Sequence, residues 1–352
     1  MTNRERAGRK VLITGVSNFL GLRLAKRLEA DPDVESIVGV DLKEPPVDIK
    51  KFDFVRVDIG SPLIARVLDS TGVDTLVHTN ITSRPGRLGG RSQMKENNVI
   101  GTMQVLAGVQ RAQHVKKVIM KSSAAVYGAS AREPSVILED HARSQVELSG
   151  YGKDCADAET YARDFGRRRK DVELVILRTQ NVVGPTVRTN ITDYLSLPVV
   201  PTAWGYDPRL QLLHEEDAVE ALHAAMAPDT RGIFNIAGRG VVYLSQALRL
   251  LGRVQLPLPL PTAQLTAGIL RRFGLVDFPL DQLRMILYGR VIGTHRAATD
   301  LGFEPRYSTR DALLDFARYR SDESSGDRDA RPPWERDLLD YIKDKNEQQE
   351  TV

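Results

Sequence analysis

Gly15, Asn18 and Gly21 recur at intervals of three in the run TGVSNFLG at 14–21. Small residues at that spacing let a chain turn tightly out of a strand and bring backbone N–H groups against a diphosphate. The expected form is T-G-x-x-G-x-x-G, and Asn18 stands where the middle glycine belongs. Asparagine tolerates φ > 0 better than any other residue except glycine, so the turn survives with a Cβ and an amide beside the phosphates. An ordinary βα turn would carry the same glycines, so two aspartates matter. Asp41 closes the apolar run SIVGVD at 36–41, where a carboxylate can accept from a ribose 2′-hydroxyl. It would repel a 2′-phosphate, which favours NAD over NADP, although Lys43 lies close by. Asp58 ends a third run, VRVDI at 55–59. Either aspartate alone could equally be a strand-end turn or a helix cap. Further on, Ser122 and Ser123 follow the strand-like Lys117–Met120, where hydroxyls would sit beside a bound nicotinamide.

The elements that must hold these residues alternate. Strands are predicted at Val11–Thr14, Ser36–Val40, Phe54–Val57, Thr75–His78, Lys117–Met120 and Val172–Leu177. Helices are predicted at Asn18–Ala30, Ser61–Asp69, Met94–Gln113 and Tyr151–Gly166. Alternation at this spacing implies an α/β fold, a Rossmann-type doubly wound parallel sheet with right-handed crossovers. After Gly184-Pro185 prolines gather, and QLPLPL at 255–260 cannot be a regular helix interior. Amphipathic runs follow at Thr262–Phe273 and Asp281–Leu287, and Ile233–Ile236 reads as a return to the sheet. The expected division is a dinucleotide-binding domain over 1–184, a smaller substrate lobe over 185–320, and a polar tail over 321–352 with a short helix near Glu335–Lys345.

Composition narrows the function classes. The chain has 352 residues, 41% apolar and 27% charged, which suits an ordinary globular protein with a sizeable core. A net charge of +3 is too mild to imply nucleic acid, and the basic cluster Arg167–Lys170 reads as a solvated helix end. One cysteine, Cys155, permits no intrachain disulfide and no cysteine-based zinc site, which fits a cytoplasmic setting. The basic start leads into an apolar run too short for a signal peptide core or a membrane span. No metal spacing surrounds His78 or His214, and both read as structural.

Taken together, the blocks resemble the extended short-chain dehydrogenase/reductase family, in the NAD-dependent epimerase/dehydratase branch typified by UDP-glucose 4-epimerase, and within it the actinobacterial type. They are TGVSNFLG at 14–21, Asp41, VDI at 57–59, LVHTN at 76–80, NVIGT at 98–102, SSAAVYG at 122–128, LRTQNVVGP at 177–185, HEEDAVEAL at 214–222 and FNIAG at 234–238. The resemblance implies reversible hydride transfer to NAD on a nucleotide sugar or similar hydroxylated substrate. It makes Ser123 and Tyr151 the catalytic pair. It places Gly15, Asn18, Phe19, Leu20 and Gly21 at the pyrophosphate, Asp41 on a ribose, and Asp58 and Ile59 beside the adenine. Thr79, Asn80 and Asn98 would line the ribose side, and Gln180 and Asn181 would border nicotinamide and substrate. Asn80 replaces the family's usual small alanine. The resemblance also implies a homodimer through the helices near Met94–Gln113 and Tyr151–Gly166.

One departure bears on activity. The family motif is Tyr-x-x-x-Lys, and the lysine position here is Cys155. A free phenol titrates near ~10, and an adjacent ammonium favours the phenolate. Losing two or three units of that depression would cost on the order of a hundredfold or more in rate. Lys153 follows Tyr151 by two residues and so lies nearly opposite it on a helix. Lys121 precedes Ser123 by two and shares its face on a regular strand, so it either reaches the site or is an ordinary strand-end lysine. Cys155 reads as core filling rather than as a reactive thiol. Two other functions stay open: a catalytically silent NAD-binding sensor or scaffold, and a dehydrogenase of a steroid-like or other apolar alcohol, which the apolar stretch Leu258–Leu270 would suit.

Overall fold

The structure is a computed structural model that describes residues 8–45, 48–84, 90–141, 148, 150–259 and 280–326. Strands β1 (Arg9–Thr14), β2 (Val34–Asp41), β3 (Phe52–Arg56), β4 (Thr75–His78), β5 (Lys117–Ser123) and β6 (Glu173–Thr179) form one parallel sheet with the later strand Gly232–Ile236. Across the sheet the order is Gly232–Ile236, β6, β5, β4, β1, β2, β3. The direction of winding reverses between β1 and β4, so a crevice opens beyond their C-terminal ends.

Helices cover both faces. α1 (Phe19–Glu29) packs on one face; α2 (Leu63–Thr71), α4 (Thr102–Arg111) and α5 (Gly150–Arg168) pack on the other. The alternation is visible within β1. Val11 and Ile13 join the α1 core, whereas Leu12 joins the core under α4 and α5. Each such fully buried aliphatic side chain stabilises the fold by about 1.5–3 kcal/mol. A third core, which includes Ile191, Leu195, Leu212, Leu248, Leu313 and Phe316, belongs to later parts of the chain.

Three elements differ from the expected ones. Met94–Gln113 is not one regular helix but the end of α3 (Gly90–Lys95), a π-helical turn Glu96–Gly101, and α4. Gly101 explains the close packing there, because a Cβ would come within 2.6 Å of the Ile59 Cδ1. β5 runs on to Ser123, so Lys121 and Ser123 lie on the strand itself. The helix Thr309–Gly326 enters the segment expected to be tail, since buried Leu313 and Phe316 anchor it and each further turn adds hydrogen bonds.

Val254–Leu258 is a strand paired with Val199–Ala203, consistent with a proline pattern that excludes helix. The expected helix at Thr262–Phe273, most of Leu258–Leu270 and the short helix near Glu335–Lys345 lie outside the described residues. Among the described residues no helix is long and apolar enough to cross a membrane.

Candidate active site

The turn from β1 into α1 has the dimensions of a phosphate cradle. Gly15 sits at φ 74° and donates to the Val40 carbonyl at 2.9 Å. A Cβ there would lie 2.9 Å from Asn18 Nδ2 and 3.0 Å from Asn80 Cα. A Cβ on Gly21 would overlap the Gly15 carbonyl oxygen. Asn18 does not use the left-handed conformation expected of it: its φ is −77° and its ψ 157°, ordinary extended backbone at the N-cap of α1. Its side chain makes no cap hydrogen bond and donates instead to Asn80 Oδ1 at 2.8 Å. The two departures from the family pattern therefore hold each other across the mouth of the turn. The backbone N–H groups of Phe19, Leu20 and Gly21 precede the first helical bond, Leu22 N–H to Asn18 O at 2.9 Å, and so offer donors at the positive end of the helix dipole.

Asp41 is held rather than free to swing. Its Oδ2 accepts from Ser17 N–H at 3.0 Å and its Oδ1 from Leu42 N–H at 2.7 Å. Asp58 is exposed and accepts from Gly60 N–H at 2.8 Å in a strand-end turn, while Ile59 beside it is buried. Thr79 is buried, and its hydroxyl donates to the Thr14 carbonyl at 2.8 Å, tying the end of β4 to the end of β1. Asn98, on the π turn, is fully buried. Its Oδ1 accepts from Thr82 N–H at 3.0 Å and its Nδ2 donates to Thr82 O at 2.9 Å, so it clamps the loop that follows β4. A π turn re-aims a side chain relative to the regular ladder, which is its use here.

Ser123 and Tyr151 are neighbours at the C-terminal end of β5, where the Ser123 hydroxyl accepts from Ala125 N–H at 3.1 Å and lies near enough to the phenol to favour its ionised form. Burial and the neighbouring Cys155 push the Tyr151 phenol well above its ordinary range, while Ser123 and the Arg290 guanidinium pull it down. Cys155 is fully buried within the core, and burial raises its thiol to about 12. Lys121 reaches the site. Its Nζ donates to Tyr151 Oη at 3.1 Å and to the Ile81 carbonyl at 3.0 Å, and it lies 5.8 Å from the Tyr151 ring centroid. Lys153 is elsewhere, paired with Asp157 at 3.4 Å on the outer side of α5.

Gln180 and Asn181 follow β6. Gln180 Nε2 donates to the Arg290 carbonyl at 2.8 Å, and Asn181 Nδ2 approaches Met285 Sδ at 2.7 Å. His78 and His214 are both buried and hydrogen-bonded: His78 between Thr14 and Thr102, His214 to Asp315 Oδ2 at 3.1 Å. Among the described residues no group of three His, Cys, Asp or Glu side chains could hold a metal ion.

Sequence reasoning missed the residues that brace this site. Arg91 forks onto buried Asp154, both bonds 2.7 Å, and also donates to Gly150 O at 2.7 Å, which fixes the start of α5 beside Tyr151. Beneath Ser123, Glu159 accepts from Ser122 Oγ at 2.7 Å and from Arg178 Nη2 at 2.7 Å, with Arg178 Nη1 donating to Tyr127 Oη at 2.8 Å. Arg290 spends Nη1 on the Gly128 carbonyl at 3.0 Å. No periodicity marks these partners, because each pair joins elements far apart in the chain. Polar residues inside predicted helices, such as Asp154 and Glu159, were the available signal.

Comparison with known proteins agrees with this geometry. The chain is 39% identical over 314 residues to an uncharacterized protein of Mycobacterium tuberculosis, a match covering 88% of this chain and 84% of that one. Its fold resembles that of a UDP-glucuronic acid 4-epimerase from Bacillus cereus solved with NAD, with a TM-score of 0.68, 19% identity, and coverage of 89% of this chain and 99% of that one. It also resembles a dTDP-glucose 4,6-dehydratase from Bacillus anthracis solved with NAD, with a TM-score of 0.68, 17% identity, and coverage of 90% and 98%. Residues 11–237, from β1 through the last strand of the sheet, match the NAD dependent epimerase/dehydratase family, and the chain belongs to that family.

Proposed function

We propose that this chain oxidises and re-reduces a secondary hydroxyl of a nucleotide sugar, with Tyr151 moving the proton. NAD fits the cradle because Gly15 and Gly21 leave no room for a Cβ at the turn, and the N–H groups of Phe19 and Leu20 come before the first helical bond. NAD, when bound, accepts a hydride from the substrate carbon and returns it. Asp41 would take the ribose hydroxyls, held in place by Ser17 and Leu42 N–H. Ser123 would hydrogen-bond the substrate oxygen. Tyr151 would remove that oxygen's proton as the carbon is oxidised and give it back on reduction. The nucleotide sugar is suggested by the solved proteins of the same fold, which are named for UDP- and dTDP-sugars.

The observation that carries this reading is the Tyr151 phenol, which takes a hydrogen bond from the Lys121 ammonium at 3.1 Å at the C-terminal end of the sheet, with the Ser123 hydroxyl nearby. The test is a panel of UDP- and dTDP-sugars, assayed for isomer, dehydrated product and reduced cofactor. Tyr151→Phe should keep NAD binding and lose ~10²–10⁴ in rate. Equal turnover by native and Tyr151→Phe protein would refute the role. The silent-sensor reading keeps one favouring observation, the thiol at the motif's lysine position. Turnover in Cys155→Lys protein with none in the native chain would favour it; NAD binding without turnover in either would refute only the choice of substrate.

A further inference from the structure

A tyrosine base needs a nearby cation, because an unassisted phenol is protonated at neutral pH. The chain's own residue at the usual place cannot supply one, since Cys155 is a buried thiol whose proton is held up to about 12. The groups that face Tyr151 come from three elements. β5 supplies Lys121 and Ser123, α5 supplies Cys155, and the segment after the helix Leu280–Tyr288 supplies Arg290. Arg290 donates Nη1 to the Gly128 carbonyl at 3.0 Å and draws the Tyr151 phenol down through its charge, but it makes no hydrogen bond to the phenol. Lys121 places its nitrogen 3.1 Å from the phenol oxygen. Its second bond, 3.0 Å to the Ile81 carbonyl, fixes that position, since a carbonyl only accepts.

We propose that Lys121, delivered by β5, is the positioning cation of Tyr151, filling from a strand the part that the family gives to the residue four places along the helix. The inference rests on the role assigned to Tyr151 above. It also gives the thiol a reason: Cys155 is the small side chain that leaves the Lys121 ammonium room against the phenol. In the reaction the substrate O–H bond breaks, its proton bonds to the Tyr151 oxygen, and the substrate C–O bond becomes C=O as the hydride leaves for NAD. Lys121 keeps its three protons throughout and stabilises the phenolate that precedes the step. Burial acts against charge on either group alone, lowering Lys121 and raising Tyr151. Opposite charges side by side offset that penalty for both.

The experiment is a set of four proteins compared with native: Lys121→Met, Lys121→Arg, Lys121→Met with Cys155→Lys, and Cys155→Lys alone. Two readouts are taken with NAD present: ultraviolet difference titration of Tyr151, defined by its loss in Tyr151→Phe, and the pH profile of turnover. Lys121→Met should move both the titration and the acid limb upward by about one unit or more, which is about tenfold in rate per unit at neutral pH. The double variant should move them back, because it restores an ammonium from the helix side. Cys155→Lys alone should gain nothing, since it crowds two ammonium groups around one phenol. A Tyr151 titration in Lys121→Met identical to native overturns the proposal. Should Lys121→Met fail to fold, Lys121→Gln takes its place: a Tyr151 titration and acid limb identical to native overturn the proposal, and an upward shift that Lys121→Arg does not show supports it. The titration needs no sugar, so an inactive sugar panel with a Lys121-dependent Tyr151 refutes only the substrate reading.

Discussion

Acid should destabilise this protein through one buried imidazole. His78, at the end of β4, hydrogen-bonds Thr14 through Nδ1 at 2.6 Å and Thr102 through Nε2 at 2.9 Å. The Thr102 hydroxyl donates its proton to the Asn98 carbonyl at 2.6 Å, so it can only accept from Nε2–H. Nδ1 is then the acceptor for the Thr14 hydroxyl, and the neutral ring satisfies every partner. Protonating Nδ1 would put a charge in the core and force the Thr14 hydroxyl to turn its proton away. Burial, with the Lys121 ammonium nearby, brings the His78 pKa from 6.5 to about 4. The folded value lies below the unfolded one, so between the two the unfolded chain binds more protons. Stability from this group is complete above about 6.5 and is lost as the pH falls toward about 4. A gap of about 2.5 units, at ~1.4 kcal/mol each, makes the loss about 3 kcal/mol. Urea unfolding of native and His78→Gln protein across that window would measure it. Carboxylates titrate in both proteins, so the difference in slope isolates His78. Parallel slopes would refute the reasoning, whatever the absolute stabilities. The ring joins Thr14 to the π turn that carries Asn98, so the same protonation should loosen the cofactor crevice before global unfolding.

Asp41→Asn removes one charged acceptor from Ser17 N–H and from the expected ribose hydroxyls. Calorimetry should show NAD binding weakened by roughly tenfold, in line with ~1.5 kcal/mol for a charge-assisted bond, and a smaller preference over NADP. Tighter binding of NADP than NAD by the native chain would overturn the assignment of Asp41. A homodimer is expected through the face formed by the π turn with α4 and by α5, where Ile100 on the π turn and Tyr161 on α5 are 38% and 39% exposed. Tyr161→Glu should shift sedimentation to monomer, and a concentration-independent monomer in the native protein would refute the pairing.

The strands of the sheet were legible because their apolar runs are continuous and short, as buried parallel strands are. Thr75–His78 is the same in both descriptions. The glycine turn was legible too, because a close backbone approach leaves a compositional trace at Gly15 and Gly21. The π turn was not, since inserting one residue into a helical ladder leaves the apolar spacing nearly unchanged over so short a run. The bracing pairs were not legible either. Arg91 and Asp154 are 63 positions apart, and only the packing of α3 on the start of α5 makes them neighbours.

The two apparent defects of the sequence show why a family pattern read position by position misjudges this chain. Asn18 departs from a glycine and Asn80 from an alanine; 62 positions apart, each looks like an obstruction. β1 and β4 are adjacent in the sheet, so the two amides meet at 2.8 Å and bind each other, at the edge of the cradle. Cys155 departs from a lysine, and Lys121 lies on a strand, outside the helical motif. β5 packs under α5, so the ammonium arrives 3.1 Å from the same phenol oxygen. In both cases the partner residue lies on a neighbouring element, where the pattern along one element has no power to report it. A motif records which residue usually supplies a group. The chemistry requires only that the group be present at the right distance, and a parallel sheet brings several strand ends within that distance of one another.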